Sequence, residues 1–122
     1  MANELTLNGT LAYADSEDAD VSLQITDLLA SVATKKFLKF KQNIGITEEA
    51  VTLGECTSPG WAMFLNRSET YTINLKVATS GAIFAEIKPG EFALLRLGSG
   101  AQAPFAIAIT GACQMEVLLV MT

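Results

Sequence analysis

The sequence predicts an all-β chain, a sandwich or barrel of short antiparallel strands. Three observations carry that prediction. Apolar residues recur at every second position through most of the chain, no segment sustains a 3.6-residue period, and turn-forming residues interrupt the pattern at short intervals. Many short strands at this spacing close into a sandwich or a barrel.

The elements follow in order. "ELTLNGTLAYAD" alternates Leu5 and Leu7 with polar residues, pauses at Asn8-Gly9, and resumes at Leu11 and Tyr13. "DVSLQIT" alternates at Val21, Leu23 and Ile25. "TDLLASVATKKF" offers Thr26 or Asp27 as a helix N-cap, but its β-branched and small residues hold little helical period. "KKFLKFKQNIGI" sets Leu38 and Phe40 against Phe37, Lys39 and Lys41, and "EEAVTL" is long enough for a short strand. "GWAMFLN" places Trp61, Met63 and Leu65 on one face. "ETYTINLKVA" points Tyr71, Ile73, Leu75 and Val77 inward and Thr72, Asn74 and Lys76 outward.

In "SGAIFAEIKPGEFALLRL", Ile83, Ala85 and Ile87 alternate before Pro89-Gly90, which suits the two central positions of a type II turn. Proline presets φ there and glycine accepts a positive one. "PFAIAIT" follows, with Ala106 and Ala108 read as outer positions, and "CQMEVLLVM" closes the chain.

Length and composition set bounds. The 122 residues fit one domain spanning 1–122, with 1–20 as an extended N-terminal strand or arm available for assembly contacts. Half the residues are apolar, so the chain folds rather than staying disordered. No apolar run approaches the roughly 20 residues of a membrane helix. "MANELTLNGT" lacks the basic and apolar regions of a signal peptide, so the chain is expected to remain where it is made. A net charge of −5 argues against general nucleic-acid binding. The charge is uneven: residues 1–34 hold six acids and no Lys or Arg, and four bases follow within "KKFLKFK".

Chemistry is constrained most by the absence of histidine. It removes Ser-His and Cys-His nucleophilic pairs, histidine bases and the usual zinc and iron ligands. Cys56 and Cys113 match no metal-ligand spacing and read as free, semi-buried thiols. Glu55 beside Cys56 is poorly placed as a base, because adjacent strand residues point to opposite faces.

Other motifs have structural readings. "DSEDAD" at 15–20 is oxygen-rich but lacks the glycine and closing glutamate of an EF-hand loop, so a solvated turn accounts for it. "LGSGAQAP" lacks the Lys-Ser/Thr of a phosphate loop. "NGT" and "NRS" at 8–10 and 66–68 fit a glycosylation sequon by composition alone. No catalytic, cofactor or metal residue is assigned.

One feature demands a partner. Leu94, Leu95, Leu118, Leu119 and Val120 put bulky apolar groups on both faces of their strands, whereas a sandwich strand ordinarily buries one. A neighbouring copy is the simplest cover. Leu94, Leu95, Leu118 and Val120 are therefore expected to pack between subunits, and Lys35, Lys36, Lys39 and Lys41 to form a polar contact face. On a strand, lysines also serve to deter edge pairing.

From "TKKFLKFKQNIGITEEAVTLGE" through "PGWAMFLNRSETYTINLKVATSGAIFAEIKPGEFALLRL" to the closing strand, the chain resembles a family of small proteins of tailed bacteriophages. The features carrying the resemblance are "EEAVTLGE", "GWAMFLNR" before a Thr-rich strand, "SGAIFAEIKPGE" and "LLRLG". The resemblance implies a virion component assembled in the host cytoplasm: a capsid decoration (cement) protein or, as an alternative, a tail or baseplate piece. Its partners would be the major capsid protein or other virion proteins and further copies of itself, with a trimer favoured and no nucleic acid or membrane. No catalytic residues carry over. With the periodicity, the fold expected is an antiparallel, jelly-roll-like β-sandwich of about eight or nine strands. A jelly-roll carbohydrate-binding module, stacking sugars on Trp61, Tyr71 or Tyr13, is the rival of a different class.

Overall fold

The computed structural model describes residues 4–13, 21–31, 37–52, 59–97 and 104–121. The chain divides into two compact units, Met1–Lys35 and Lys36–Thr122. Ten strands and no helix occur among the described residues, and every strand pairing is antiparallel.

The first unit is a two-stranded ribbon, β1 (Glu4–Tyr13) against β2 (Val21–Ser31). Residues 26–31 of the stretch with weak helical signals thus continue β2, and 32–36 lie outside the described residues. Leu7 pairs with Leu28 and Gly9 with Ile25, so β2 carries one extra residue at that point, a bulge. The bulge keeps Leu5, Leu7, Leu11, Leu23, Ile25 and Leu28 on one face and leaves Thr6, Thr10, Ser22 and Gln24 on the other. Leu11 and Leu23, directly paired, are 79% and 71% exposed.

The second unit is an antiparallel β-sandwich. One sheet has the order β3 (Phe37–Ile44), β10 (Cys113–Met121), β5 (Pro59–Asn66), β8 (Phe92–Arg96). The other has the order β4 (Glu49–Ala50), β9 (Phe105–Ile109), β6 (Thr72–Lys76), β7 (Ile83–Ile87). The chain crosses between sheets at nearly every connection, and these two orders are those of a jelly roll. Strand β4 has only two residues, but Val51 N–H extends the pairing by donating to Pro104 C=O at 2.9 Å.

The core lies between the sheets. Ile44, Phe64, Met115, Val117 and Leu119 of one sheet meet Ile73, Leu75, Ile87, Ala106 and Ala108 of the other, all buried. Cys113 is a free, buried thiol in the same cluster; Cys56 lies outside the described residues.

Two expectations about facing are corrected. Ala106 and Ala108 point inward, opposite Leu75 and Ile73, while Phe105, Ile107 and Ile109 point outward. Small side chains belong where bulky neighbours already fill the space between sheets, so residue size does not identify the wet face. Ile73 and Leu75 are buried as expected, but Tyr71 and Val77 lie just beyond the ends of β6 and are exposed.

Turns set the ends. Glu91 N–H donates to Lys88 C=O at 2.9 Å across Pro89-Gly90, and Gly90 has φ 79°, as a type II turn requires. Asn66, fully buried at the end of β5, joins three segments. Its Nδ2 donates to Tyr71 C=O at 2.9 Å and Ile87 C=O at 2.8 Å, and its Oδ1 accepts from Ser68 N–H at 2.9 Å. Its backbone N–H donates to Glu91 C=O, and its carbonyl accepts from Gly90 N–H. Both amide protons of this sequon asparagine are therefore committed inside the fold.

Candidate interaction face

The outer face of the β3-β10-β5-β8 sheet carries the surplus apolar residues. Strand registers align them into rows that cross all four strands. Phe37, Val120, Trp61 and Arg96 form one row. Lys39, Leu118, Met63 and Leu94 form the next. Lys41, Glu116, Leu65 and Phe92 form the third. Eight of these twelve side chains are apolar, and each projects away from the core because its strand neighbours project into it.

Exposure is greatest at the two edges and at Leu94. Phe37 is 69% exposed, Phe92 61% and Leu94 43%. Trp61, Met63, Leu65, Leu118 and Val120 are half-buried by one another. A contiguous patch of this kind is unusual on a solitary soluble protein, which makes it the candidate interaction surface.

Charge sits at the perimeter and in one ion-pair cluster. Arg67 donates to Glu116 Oε1 from Nε at 2.7 Å, with Nη2 at 2.5 Å, and Lys39 Nζ lies 3.9 Å from Oε2. The Arg67 hydrogen bond holds the Glu116 carboxyl below its ordinary range. Burial opposes that shift, and the positive charges of Arg67, Lys39 and Lys41 add to it. Beside this cluster is a shallow depression of about 210 Å³, lined by Lys39, Met63, Leu65, Arg67, Glu116 and Leu118. Its floor is aliphatic, and its polar groups are already joined to one another, so it offers no converging acid–base pair. Among the described residues, no cluster of three or more His, Cys, Asp or Glu is placed to hold a metal ion.

The residues singled out from the sequence separate as follows. Leu94, Leu118, Val120, Lys39 and Lys41 share this face. Leu95 does not: it pairs with Ala62, points inward and packs half-buried against the core. Leu94 and Leu95 are adjacent on β8, so only one of them can face outward. Lys35, Lys36 and the acidic stretch 15–20 lie outside the described residues. Phe37, Met63, Leu65, Phe92, Arg67 and Glu116 belong to the face without having been singled out for it. The available signal was apolar occupancy at both parities of β5 and β8.

The sugar-stacking candidates fit less well. The Trp61 indole N–H is buried and lacks a hydrogen-bond partner, so it is not presented for a ligand. Tyr71 packs its ring against Gly111. No known protein family, curated protein or solved structure matches the chain.

Proposed function

We propose that this protein is a non-enzymatic structural component of a tailed-phage virion, a decoration protein that stabilises the head shell by covering protein surface. The observation that carries the proposal is the three-row apolar face on the outside of the β3-β10-β5-β8 sheet. Burying apolar surface stabilises by about 25 cal/mol per Å², and a lattice of identical copies multiplies that contribution through avidity. A rigid jelly roll is suited to the task, because its side chains are preorganised on strands and lose little entropy on docking. The phage context rests on the family resemblance over the second half of the chain.

The test is the amount of the protein in purified particles of the phage that encodes it, read by quantitative gel or mass spectrometry. On the order of hundreds of copies per particle is the outcome expected of a shell protein. A dozen or so would move it to the neck, tail tip or baseplate. Particles that lack it altogether would remove it from the virion and refute the proposal.

A further inference from the structure

The outer β3-β10-β5-β8 face has a pattern that fits itself. We propose that this face is closed by the same face of a second copy, stacked about a two-fold axis that runs along the strands between β10 and β5. This rests on the structural reading above and assigns that surface to contacts between copies, leaving the rest of the molecule to meet the shell.

Such an axis keeps the rows and exchanges the edges, so that β3 of one copy lies over β8 of the other and β10 lies over β5. In the first row Phe37 then meets Arg96 of the other copy. In the third row Lys41 meets Phe92 of the other copy. Two of the three edge contacts are cation on aromatic ring, a favourable pairing that strengthens as water leaves, and the middle row sets the Lys39 stem over Leu94. At the centre Leu118 meets Met63 and Val120 meets Trp61, apolar on apolar, while Glu116, held by Arg67 and Lys39 of its own chain, lies over Leu65. The cationic edge strand β3 is thereby kept from its own copy by about three strand spacings, roughly 14 Å. A face bearing Lys39 and Lys41 on one edge and Phe92 and Leu94 on the other is complementary to itself only when the edges exchange.

The area is adequate. Four strands about 4.8 Å apart and three rows about 6.8 Å apart give a footprint of about 390 Å² per copy. Two copies bury about 780 Å² as flat contact, and more as accessible surface because the side chains interdigitate. That approaches the roughly 1,000 Å² at which specific interfaces begin. Stacked sheets cross at about 30°, a rotation that shifts the edge contacts by less than one row.

Two measurements on the full chain test this. Sedimentation of the wild-type protein is expected to show a dimer at micromolar concentration. Phe92→Lys, which sets like charge against Lys41 of the other copy at an exposed site and leaves the fold intact by circular dichroism, is expected to weaken the dimer about 30-fold or more, with Ile109→Lys on the opposite sheet as the neutral control. The second measurement uses a Cys56→Ser background and a thiol crosslinker with a reach of about 10 Å, the spacing of stacked sheets. Mixing Lys41→Cys with Phe92→Cys protein is expected to give crosslinked dimers, and neither variant alone is expected to do so. Within one chain these two positions are about 14 Å apart, too far for the reagent.

A wild-type monomer at 100 µM (a concentration of order 100-fold above typical micromolar association), a Phe92→Lys dimer as tight as wild type, or crosslinking of Lys41→Cys to itself would each overturn the inference. Failure here with abundant protein on virions leaves the structural role standing. A clean dimer absent from every particle does the reverse.

Discussion

Replacing Asn66 with alanine isolates how much of the sandwich depends on one buried amide. The side chain makes three hydrogen bonds, and its removal leaves Ile87 C=O, Tyr71 C=O and Ser68 N–H without those partners. The Ile87 carbonyl is buried with the amide, so its loss costs the desolvation penalty of about 1–3 kcal/mol. The other two bonds are only part-buried, and each is worth about 0.5–1.5 kcal/mol. The sum, about 2–6 kcal/mol with a midpoint near 4, is a large share of the roughly 5–15 kcal/mol that stabilises a typical domain. For a sandwich of this size it corresponds to a fall in melting temperature of about 15–30 °C. Urea denaturation is the assay, with a lowered midpoint at unchanged slope as the expected result.

Asn66→Asp separates hydrogen-bond chemistry from packing, since it keeps the shape but aims a carboxylate oxygen at two carbonyls. At pH 7 it should destabilise at least as much as alanine. Burial raises the introduced carboxyl's pKa in the folded state, so the loss is complete above that raised value and shrinks as pH falls through it. A loss under about 1 kcal/mol for Asn66→Ala, or wild-type stability for Asn66→Asp at pH 7, would refute the accounting.

Further outcomes follow from the same geometry. Glu116 has its folded-state pKa lowered by Arg67, so its contribution is fully present above the ordinary carboxylate pKa of about 4.3 and is lost as pH falls through the lowered value. Denaturation midpoints from pH 7 to 3 should therefore converge for wild type and Glu116→Gln at the acid end. Gly90→Ala meets no atom within 4 Å and should cost about 1 kcal/mol through its positive φ alone. Gly111→Ala drives a methyl into the Tyr71 ring, so its cost should largely disappear in a Tyr71→Ala background, a coupling measurable by a double-mutant cycle. Phe64→Ala should lose about 3–5 kcal/mol, whereas Met63→Ala, one residue away on the opposite face, should lose about 1 kcal/mol in a monomer.

Strand content was legible because period-two alternation is strongest where one face is dry, as in β3 and β6; β2 alternates likewise, although its Leu23, Ile25 and Leu28 are exposed. The Pro89-Gly90 turn was legible because two residue types with opposite φ preferences sat side by side. Parity along a strand put Lys39 with Lys41 and Leu118 with Val120, but that these and Leu94 share one face follows only from the pairing of β3, β10, β5 and β8. Leu95 was misplaced because a run such as "FALLR" is apolar at both parities, and only pairing with β5 decides which residue turns in. The alanines of β9 were misplaced because small size was read as exposure, when it answers to the volume left by Leu75 and Ile73. Asn66 was invisible as a structural residue: its partners lie 5 and 21 residues away, and nothing local distinguishes it from a turn asparagine. Strand order depends on non-local pairing and is not written in the alternation of any one segment.

The extra residue in β2 works like a clutch in the hairpin. Because the count slips by one between Leu28 and Ile25, both halves of the ribbon present leucine and isoleucine to the same side. Inserting a single residue beside Asn8 would equalise the count, restore an unbroken ladder and turn one half over, leaving a ribbon greasy above at one end and below at the other. Such a twisted amphiphile has no flat side with which to lie against anything. A one-codon insertion there would thus erase a surface without removing any of the side chains that compose it.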